Sequence, residues 1–201
     1  MTDYFALLGA PRRPWLESEE LKKRFRELST EVHPDRVHSA TEVTRQVAQT
    51  RFAELNSAFQ CLSRPRERLQ HLLELETGSR AEQIQNVPSK LMDFFLEFSS
   101  LCRQVDAFLA EKMSAKSPLL KVQFFQQAQE WTEKISRTQK RLNEWRQDIE
   151  HELKRLDAAW VVDEAAENRA NVARLQEIAR LLGFVERWSA QAQERFVQLS
   201  L

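Results

Sequence analysis

The feature that most constrains this chain is its shortage of residues that interrupt a helix. The 201 residues include only three glycines and six prolines, and long stretches contain neither. Glycine and proline are the strongest helix breakers, so their scarcity favours long helices. Apolar residues make up 42% of the chain, enough for a core, and the 30% of charged residues suits solvated helix surfaces. The sequence therefore predicts an all-α fold.

The charge balance and the apolar pattern narrow the classes of partner. Thirty basic and thirty acidic residues cancel, so no net field favours a nucleic acid or an anionic membrane. No apolar run approaches the roughly 18 residues of a membrane span, and the N-terminus lacks the pattern of a signal peptide. We expect a cytoplasmic protein. Cys61 and Cys102 have no partner at a metal-ligand spacing and are expected to be small buried residues.

Two amphipathic helices, over about residues 18–32 and 42–63, are predicted in the first third of the chain, and Ser18 is expected to cap the first. The apolar side of the first helix consists of Leu21, Phe25, Leu28 and Val32. About 100° per residue places three cations on its opposite face, namely Lys22, Lys23 and Arg26. The second helix has an apolar side of Val47, Phe52, Leu55, Phe59 and Leu62.

The segment His33-Pro34-Asp35 separates these two helices. Pro34 ends the first helix, because proline disfavours helical geometry in the residue before it. The segment is either an ordinary connection or a contact site at the tip of an antiparallel hairpin. Recognition residues commonly lie on exposed loops held by rigid elements, which favours the contact site.

Beyond Gly78 a polar stretch predicts a linker, so we expect domains at 1–76 and 89–201 joined by residues 77–88. In the second domain, apolar residues repeat at alternating spacings of three and four in three segments. The middle repeat reaches Leu156, with Glu152 as an interruption. Such repeats indicate coiled-coil-like seams, and short breaks favour antiparallel neighbours. The sequence predicts an antiparallel three-helix bundle with long helices.

Sequence patterns typical of catalysis are missing. The four histidines have no cysteine or carboxylate at a recognised ligand spacing, and there is no H-E-x-x-H motif. Neither a glycine-rich phosphate loop nor a G-x-S-x-G turn occurs. We therefore predict no catalytic residue, no metal site and no cofactor.

Residues 3–75 resemble a J-domain. The matching segments are Tyr4-Phe5, Leu7-Leu8-Gly9, LKKRFREL, HPDR and FAELNSAFQCLSRPRER. The resemblance implies that His33, Pro34 and Asp35 stimulate ATP hydrolysis by a DnaK-type chaperone. It also implies that a basic face docks on an acidic surface of that chaperone, through Lys22, Lys23, Arg26 and Arg36. Val32 and Glu31 depart from the family, which commonly has an aromatic and a basic residue at these positions.

The J-domain followed by a helical bundle resembles the HscB family, the co-chaperones of iron–sulfur cluster assembly. In that family the bundle holds the scaffold protein IscU, and the J-domain recruits an HscA-type ATPase. The segments LMDFFLEFSSL (91–101) and LLGFVERW (181–188) are similar to the family's scaffold-binding segments. The resemblance implies that Leu91, Met92, Phe95 and Phe184 contact the scaffold.

Helical spacing alone would place these four residues in the bundle core. Phe94 and Phe95 are adjacent and cannot both face one core, so at least one is expected at the surface, where an apolar patch marks a contact site. The acidic residues that often accompany the patch in the family are mostly missing, and Leu96, Ser99, Ser100 and Arg103 stand there. Three hypotheses remain open: delivery of an IscU-like scaffold, a J-domain co-chaperone with another client, and a coiled-coil adaptor.

Overall fold

The computed structural model describes residues 2–33, 36, 41–78, 87–114, 118–161 and 165–200. Over these residues the chain forms seven helices and no strand, which confirms the predicted all-α fold. In chain order they are α1 (Tyr4–Leu7), α2 (Ser18–Glu31), α3 (Glu42–Ser63), α4 (Pro65–Thr77), α5 (Ser89–Ser114), α6 (Pro118–Ala158) and α7 (Ala165–Ser200). No helix in these ranges is long and apolar enough to cross a membrane.

The chain divides into two compact units whose bounds differ from the predicted domains. The first contains Met1–Glu82 together with Glu150–Arg180, and the second contains Gln83–Ile149 together with Leu181–Leu201. Residues 150–180, which the sequence pattern assigns to the bundle, therefore pack with the N-terminal segment. Of the predicted linker, residues 79–86 lie outside the described part of the chain.

Helices α2 and α3 pair through the predicted apolar stripes, with one shift of register. The rings of Phe25 and Phe59 stack at a centroid distance of 4.4 Å. Val47, predicted on the apolar side of α3, is 64% exposed, and Ala48 is buried instead. Ala48, Leu55 and Leu62 follow one another at intervals of seven residues and form the buried side of α3. Val47 lies next to this side and faces solvent.

Ser18 is the first residue of α2 rather than its N-cap, which is Glu17. The side chain of Glu17 makes no capping hydrogen bond, and its carboxylate accepts one from the Trp15 indole at 2.7 Å. The terminal residue of a helix is the least predictable part of it.

Arg68 of α4 is a buried cation that holds the chain before α2. Its guanidinium donates to the carbonyl of Pro14 at 3.0 Å and to the carbonyl of Leu62 at 2.8 Å. Burial lowers the pKa of Arg68 to about 10. The planar guanidinium presents several N–H donors at fixed angles, so its geometry as well as its charge suits this position between two carbonyls.

Asp157, near the end of α6, fixes the same proline-bearing segment from the other side. Its carboxylate accepts hydrogen bonds from the Trp15 backbone N–H at 3.1 Å and from the Arg13 guanidinium at 3.2 Å. The indole of Trp160 donates to the carbonyl of Arg12 at 2.9 Å. Lys154 lies 4.6 Å from the centre of the Trp15 ring. These contacts join the end of α6 to the N-terminal segment within the first unit.

Polar contacts join the end of α6 to α7 in this unit. The buried Asn168 amide bonds both backbone groups of Val161, accepting from its N–H at 3.1 Å and donating to its carbonyl at 2.6 Å. Glu152, the predicted interruption of the α6 seam, accepts two hydrogen bonds of 2.6 Å from Arg174 of α7. The fully buried Leu153 takes the adjacent core position.

His71 of α4 holds α1 in place. Its Nε2 accepts a hydrogen bond from the Tyr4 backbone N–H at 3.0 Å, and its ring stacks on Phe5 at 5.7 Å. Burial lowers the pKa of His71 below 6.5, although the charges of Asp3 and Glu74 act in the opposite direction. The ring is therefore neutral at pH 7, as its role as an acceptor requires.

The second unit is the predicted three-helix bundle. Phe108 of α5 packs on Phe124 near the start of α6, whereas Phe94 packs on Trp145 further along α6, so these two helices are antiparallel. Phe94 also contacts Trp188 of α7. Fully buried side chains on both long helices continue the seam, among them Ile135, Leu142 and Ala192.

Replacing Asp157 tests the contact that joins α6 to the N-terminal segment. Asp157→Ala would leave the Trp15 N–H and the Arg13 guanidinium without this acceptor, and we expect it to lower the free energy of unfolding by about 2 kcal/mol. Urea denaturation measures the change. Asp148→Ala, an exposed aspartate on the same helix, is the control and should change stability by less than about 0.5 kcal/mol. Equal effects of the two substitutions would contradict the assigned role.

His71 makes the stability of the first unit depend on pH. Its folded pKa lies below the ordinary 6.5, so in acid the unfolded chain takes up a proton that the folded chain resists. The stability that the neutral His71 ring contributes above pH 6.5 is therefore lost as the pH falls from 6.5 through the lower, folded pKa. We expect His71→Gln, which keeps an acceptor for Tyr4, to lose less stability than the wild type between pH 7.5 and 5.5. Parallel pH dependences in urea denaturation would disprove this.

Candidate binding surfaces

His33 lies at the exposed end of α2, where its ring is supported by α3. The ring meets Phe52 edge to face, at a centroid distance of 5.8 Å and an angle of 85°. Its backbone carbonyl accepts from the Arg36 N–H at 2.9 Å. The Arg36 guanidinium in turn reaches the carbonyl of Thr30 at 3.4 Å, one of the carbonyls at the helix end. Pro34 and Asp35 lie outside the described residues.

Phe52 is the support that sequence reasoning did not connect with His33. The sequence placed Phe52 on the apolar side of the second helix but gave no sign that it touches the tip. An aromatic ring against an imidazole restricts the orientations of the imidazole. The structure thus holds the His33 side chain at the surface through a second helix.

The three predicted cations of α2 are all exposed and share one face. Lys22 pairs with Glu19 at 2.7 Å, and Lys23 lies 4.0 Å from Glu27. Arg26 donates to the carbonyl of Lys22 at 3.3 Å. Surface pairs of this kind contribute about 0–1 kcal/mol, so an acidic partner can compete for these cations at little cost.

The four predicted scaffold-contact residues divide between core and surface. Leu91 and Phe184 are buried, at 8% and 4% exposure. Met92 is 38% exposed and Phe95 is partly exposed, while its neighbour Phe94 is buried. The expectation that one of the two adjacent phenylalanines faces outward agrees with this arrangement. Leu96, which the sequence interpretation treated only as a replaced acidic position, is 58% exposed and extends the apolar surface.

Trp188 connects the surface residues to the core, and sequence reasoning did not single it out. Its ring contacts Phe95 at 6.3 Å and Phe184 at 5.5 Å. The guanidinium of Arg187 covers Phe184 at 4.7 Å from the ring centre. Phe184 therefore supports the surface from below rather than presenting its own ring.

Within the described ranges, no group of three or more His, Cys, Asp or Glu side chains is arranged to hold a metal ion. Burial raises the pKa of the Cys61 thiol to about 11 and also raises that of the buried Cys102 thiol. Both cysteines are therefore protonated and unreactive at neutral pH.

Comparison with known proteins agrees with this arrangement. Residues 3–71 match the family model of the DnaJ domain. The fold is similar to that of the chaperone HscB from Vibrio cholerae, with a TM-score of 0.58 and 22% sequence identity, covering 98% of this chain and 99% of that one. It is also similar to human co-chaperone protein HscB, with a TM-score of 0.53 and 17% identity, covering 98% and 81% of the two chains. The resemblance predicted from the sequence is thereby confirmed.

The burial of Phe184 and the exposure of Leu96 predict effects on stability of very different size. Phe184→Ala would leave a cavity beside Trp188, and we expect it to lower the free energy of unfolding by about 3–4 kcal/mol. Leu96→Ser removes a side chain that is already 58% exposed and should change stability by less than about 1 kcal/mol. Urea denaturation of both variants measures these changes in the free energy of unfolding. A large loss from Leu96→Ser would mean that this residue belongs to the core.

Proposed function

We propose that this chain, which carries a DnaJ domain and shares its fold with HscB proteins, is a J-domain co-chaperone. It stimulates the ATPase of a DnaK/HscA-type chaperone and delivers an IscU-like iron–sulfur scaffold to it. The observation that carries the proposal is the segment His33-Pro34-Asp35 inside the matched DnaJ range, in a chain whose whole length follows the HscB fold.

The first step is association with the chaperone through the basic face. Lys22, Lys23 and Arg26 attract an acidic surface, which raises the association rate and makes it sensitive to salt. Glu31, the last residue of α2, is exposed and carries the opposite charge. It weakens this attraction relative to a chain with a basic residue there.

The second step is the stimulation of ATP hydrolysis. The His33 ring, held against Phe52, supplies a hydrogen-bonding group at the surface, and Asp35 supplies a carboxylate for a cation on the chaperone. In this proposal the chain acts on the chaperone and not on ATP itself. It acts by binding one conformation of the chaperone better than another, which shifts the chaperone toward the state that hydrolyses ATP.

The client is bound by the second unit. Met92, Phe95 and Leu96 present an apolar surface on α5 that rests on Trp188. An exposed apolar patch on a rigid bundle is a common form of protein-binding site. The resemblance to HscB supports an IscU-like scaffold as the proposed client.

A second candidate keeps the DnaJ domain and gives the bundle a different client. The observation that favours it is the replacement of acidic positions by Leu96, Ser99 and Arg103, which changes the character of the surface. Failure of the scaffold to bind, with ATPase stimulation intact, would select this candidate. A coiled-coil adaptor is the third candidate, and it requires that no ATPase be stimulated.

The tip residue His33 is tested by steady-state ATP hydrolysis of a DnaK/HscA-type chaperone. We expect His33→Gln to reduce the stimulated rate at least about tenfold, which corresponds to about 1.4 kcal/mol, because glutamine cannot reproduce the imidazole's contacts. Circular dichroism should show an unchanged fold, since the residue is exposed. His151→Gln, an exposed histidine of α6, is the matched control and should stimulate normally. Full stimulation by His33→Gln would refute the proposal.

The client surface is tested by binding of the iron–sulfur scaffold encoded by the same genome, measured by calorimetry. We expect Phe95→Ala to weaken binding at least about tenfold, the loss of about 1.4 kcal/mol typical of a central aromatic contact. Phe125→Ala provides the control, because Phe125 is 64% exposed on α6 and is not part of the proposed surface. Equal binding by the two variants would mean that Phe95 does not contact the scaffold.

A further inference from the structure

The exposed side of α5 carries a continuous strip along the helix axis. About 100° per residue brings five side chains within one outward-facing sector, opposite the buried Phe94 and Phe98. We call these residues the outer strip: Met92, Phe95, Leu96, Ser99 and Arg103. Apolar side chains form its N-terminal half, a hydroxyl follows, and an exposed guanidinium ends it.

None of the five residues of the outer strip is acidic, and the carboxylates of α5 near it are turned away or paired. Asp93 is turned by about 100° from Met92. Glu97 faces α6, where it accepts two hydrogen bonds from Arg141 at 2.8 and 2.9 Å. Asp106 lies in the same sector as the strip, one turn beyond Arg103, and pairs with Arg195 of α7 at 2.7 Å. The strip itself is therefore apolar and ends in a cation, with an ion pair beyond it.

Helix α7 adds a second exposed cation beside the strip. The contact between Phe95 and Trp188 and the pair between Asp106 and Arg195 show that α7 runs along this edge of α5. Arg187 is exposed on the same edge, with its guanidinium over the ring of Phe184. The exposed Glu194 shares the face of Arg187, two helical turns further along α7 and next to the Arg195 that pairs with Asp106. Arg103 and Arg187 are thus exposed cations close to the apolar centre, one on each helix.

We propose that the outer strip binds an acidic segment of the scaffold, one that presents an apolar side chain flanked by carboxylates. The apolar side chain would contact Met92, Phe95 and Leu96, and the carboxylates would meet Arg103 and Arg187. This inference rests on the proposed function, because it specifies the part of the scaffold that the second unit recognises. It follows from charge complementarity, since a basic segment would meet like charge at both positions.

Guanidinium groups suit this role because they form paired hydrogen bonds with a carboxylate. Since both arginines are exposed, their attraction acts across solvent and is screened by salt. The apolar centre, in contrast, contributes through burial, which salt does not weaken. The two contributions can therefore be separated by measuring affinity at two ionic strengths.

The experiment is calorimetric binding of the full chain to the same scaffold protein at about 50 mM and about 300 mM NaCl. We expect the wild-type affinity to fall as the salt concentration rises. We expect Arg103→Glu combined with Arg187→Glu to weaken binding at least about fivefold at low salt, because two attractions become repulsions. Arg137→Glu, at an arginine whose side chain is 78% exposed on α6, is the control and should bind normally.

The outcomes separate this inference from the function on which it rests. Suppose that Phe95→Ala abolishes binding, while the double substitution of Arg103 and Arg187 leaves binding unchanged or makes it tighter. The scaffold is then still the client, but the inference that its acidic segment binds the outer strip is wrong. An affinity that rises with salt would overturn the inference in the same way. If the wild-type chain fails to bind the scaffold at both salt concentrations, the client proposal and the inference both fall.

Discussion

The hydrogen bonds accepted by Asp157 are the constraint on which the first unit depends. They hold the segment before α2 between the end of α6 and the buried Arg68 of α4, which bonds the same segment through Pro14. Helix α2 starts from this fixed point and ends at His33. Because helices are stiff over this length, the position of its first turn determines the position of its last. Charge-assisted bonds far from the tip therefore set where the histidine stands.

Periodicity in the sequence was sufficient to predict most of the helices, because burial repeats every three or four residues. The same rule could not find Asp157, since a polar contact between residues more than 140 positions apart has no period. It also mistook Val47 for a core residue, because only packing decides which of two neighbouring positions faces the partner helix. Residues 150–180 were assigned to the bundle for the same reason, as their heptad pattern continues across the boundary between the two units.

The two proposed binding surfaces could be predicted from the sequence to different extents. The segment at His33 was recognisable from its short motif and its place between two amphipathic helices, whereas its support by Phe52 depends on tertiary contact. On the bundle, the sequence gave four residues without distinguishing the exposed side chains from the buried ones that support them. The structure makes this distinction through burial: Phe184 supports Trp188 from the core, and Met92 and Leu96 face solvent. Surface charge beside them is a property of two helices together.

The chemical state of the two cysteines has a consequence for the proposed delivery of an iron–sulfur scaffold. A thiolate is a strong ligand for iron, but the Cys61 thiol, with a pKa of about 11, and the buried Cys102 thiol both keep their protons at neutral pH. In the proposed complex, neither cysteine therefore presents a ready thiolate to a labile inorganic cargo or to a disulfide of the scaffold. Raising the pKa of two thiols thus favours a carrier that leaves its cargo unchanged.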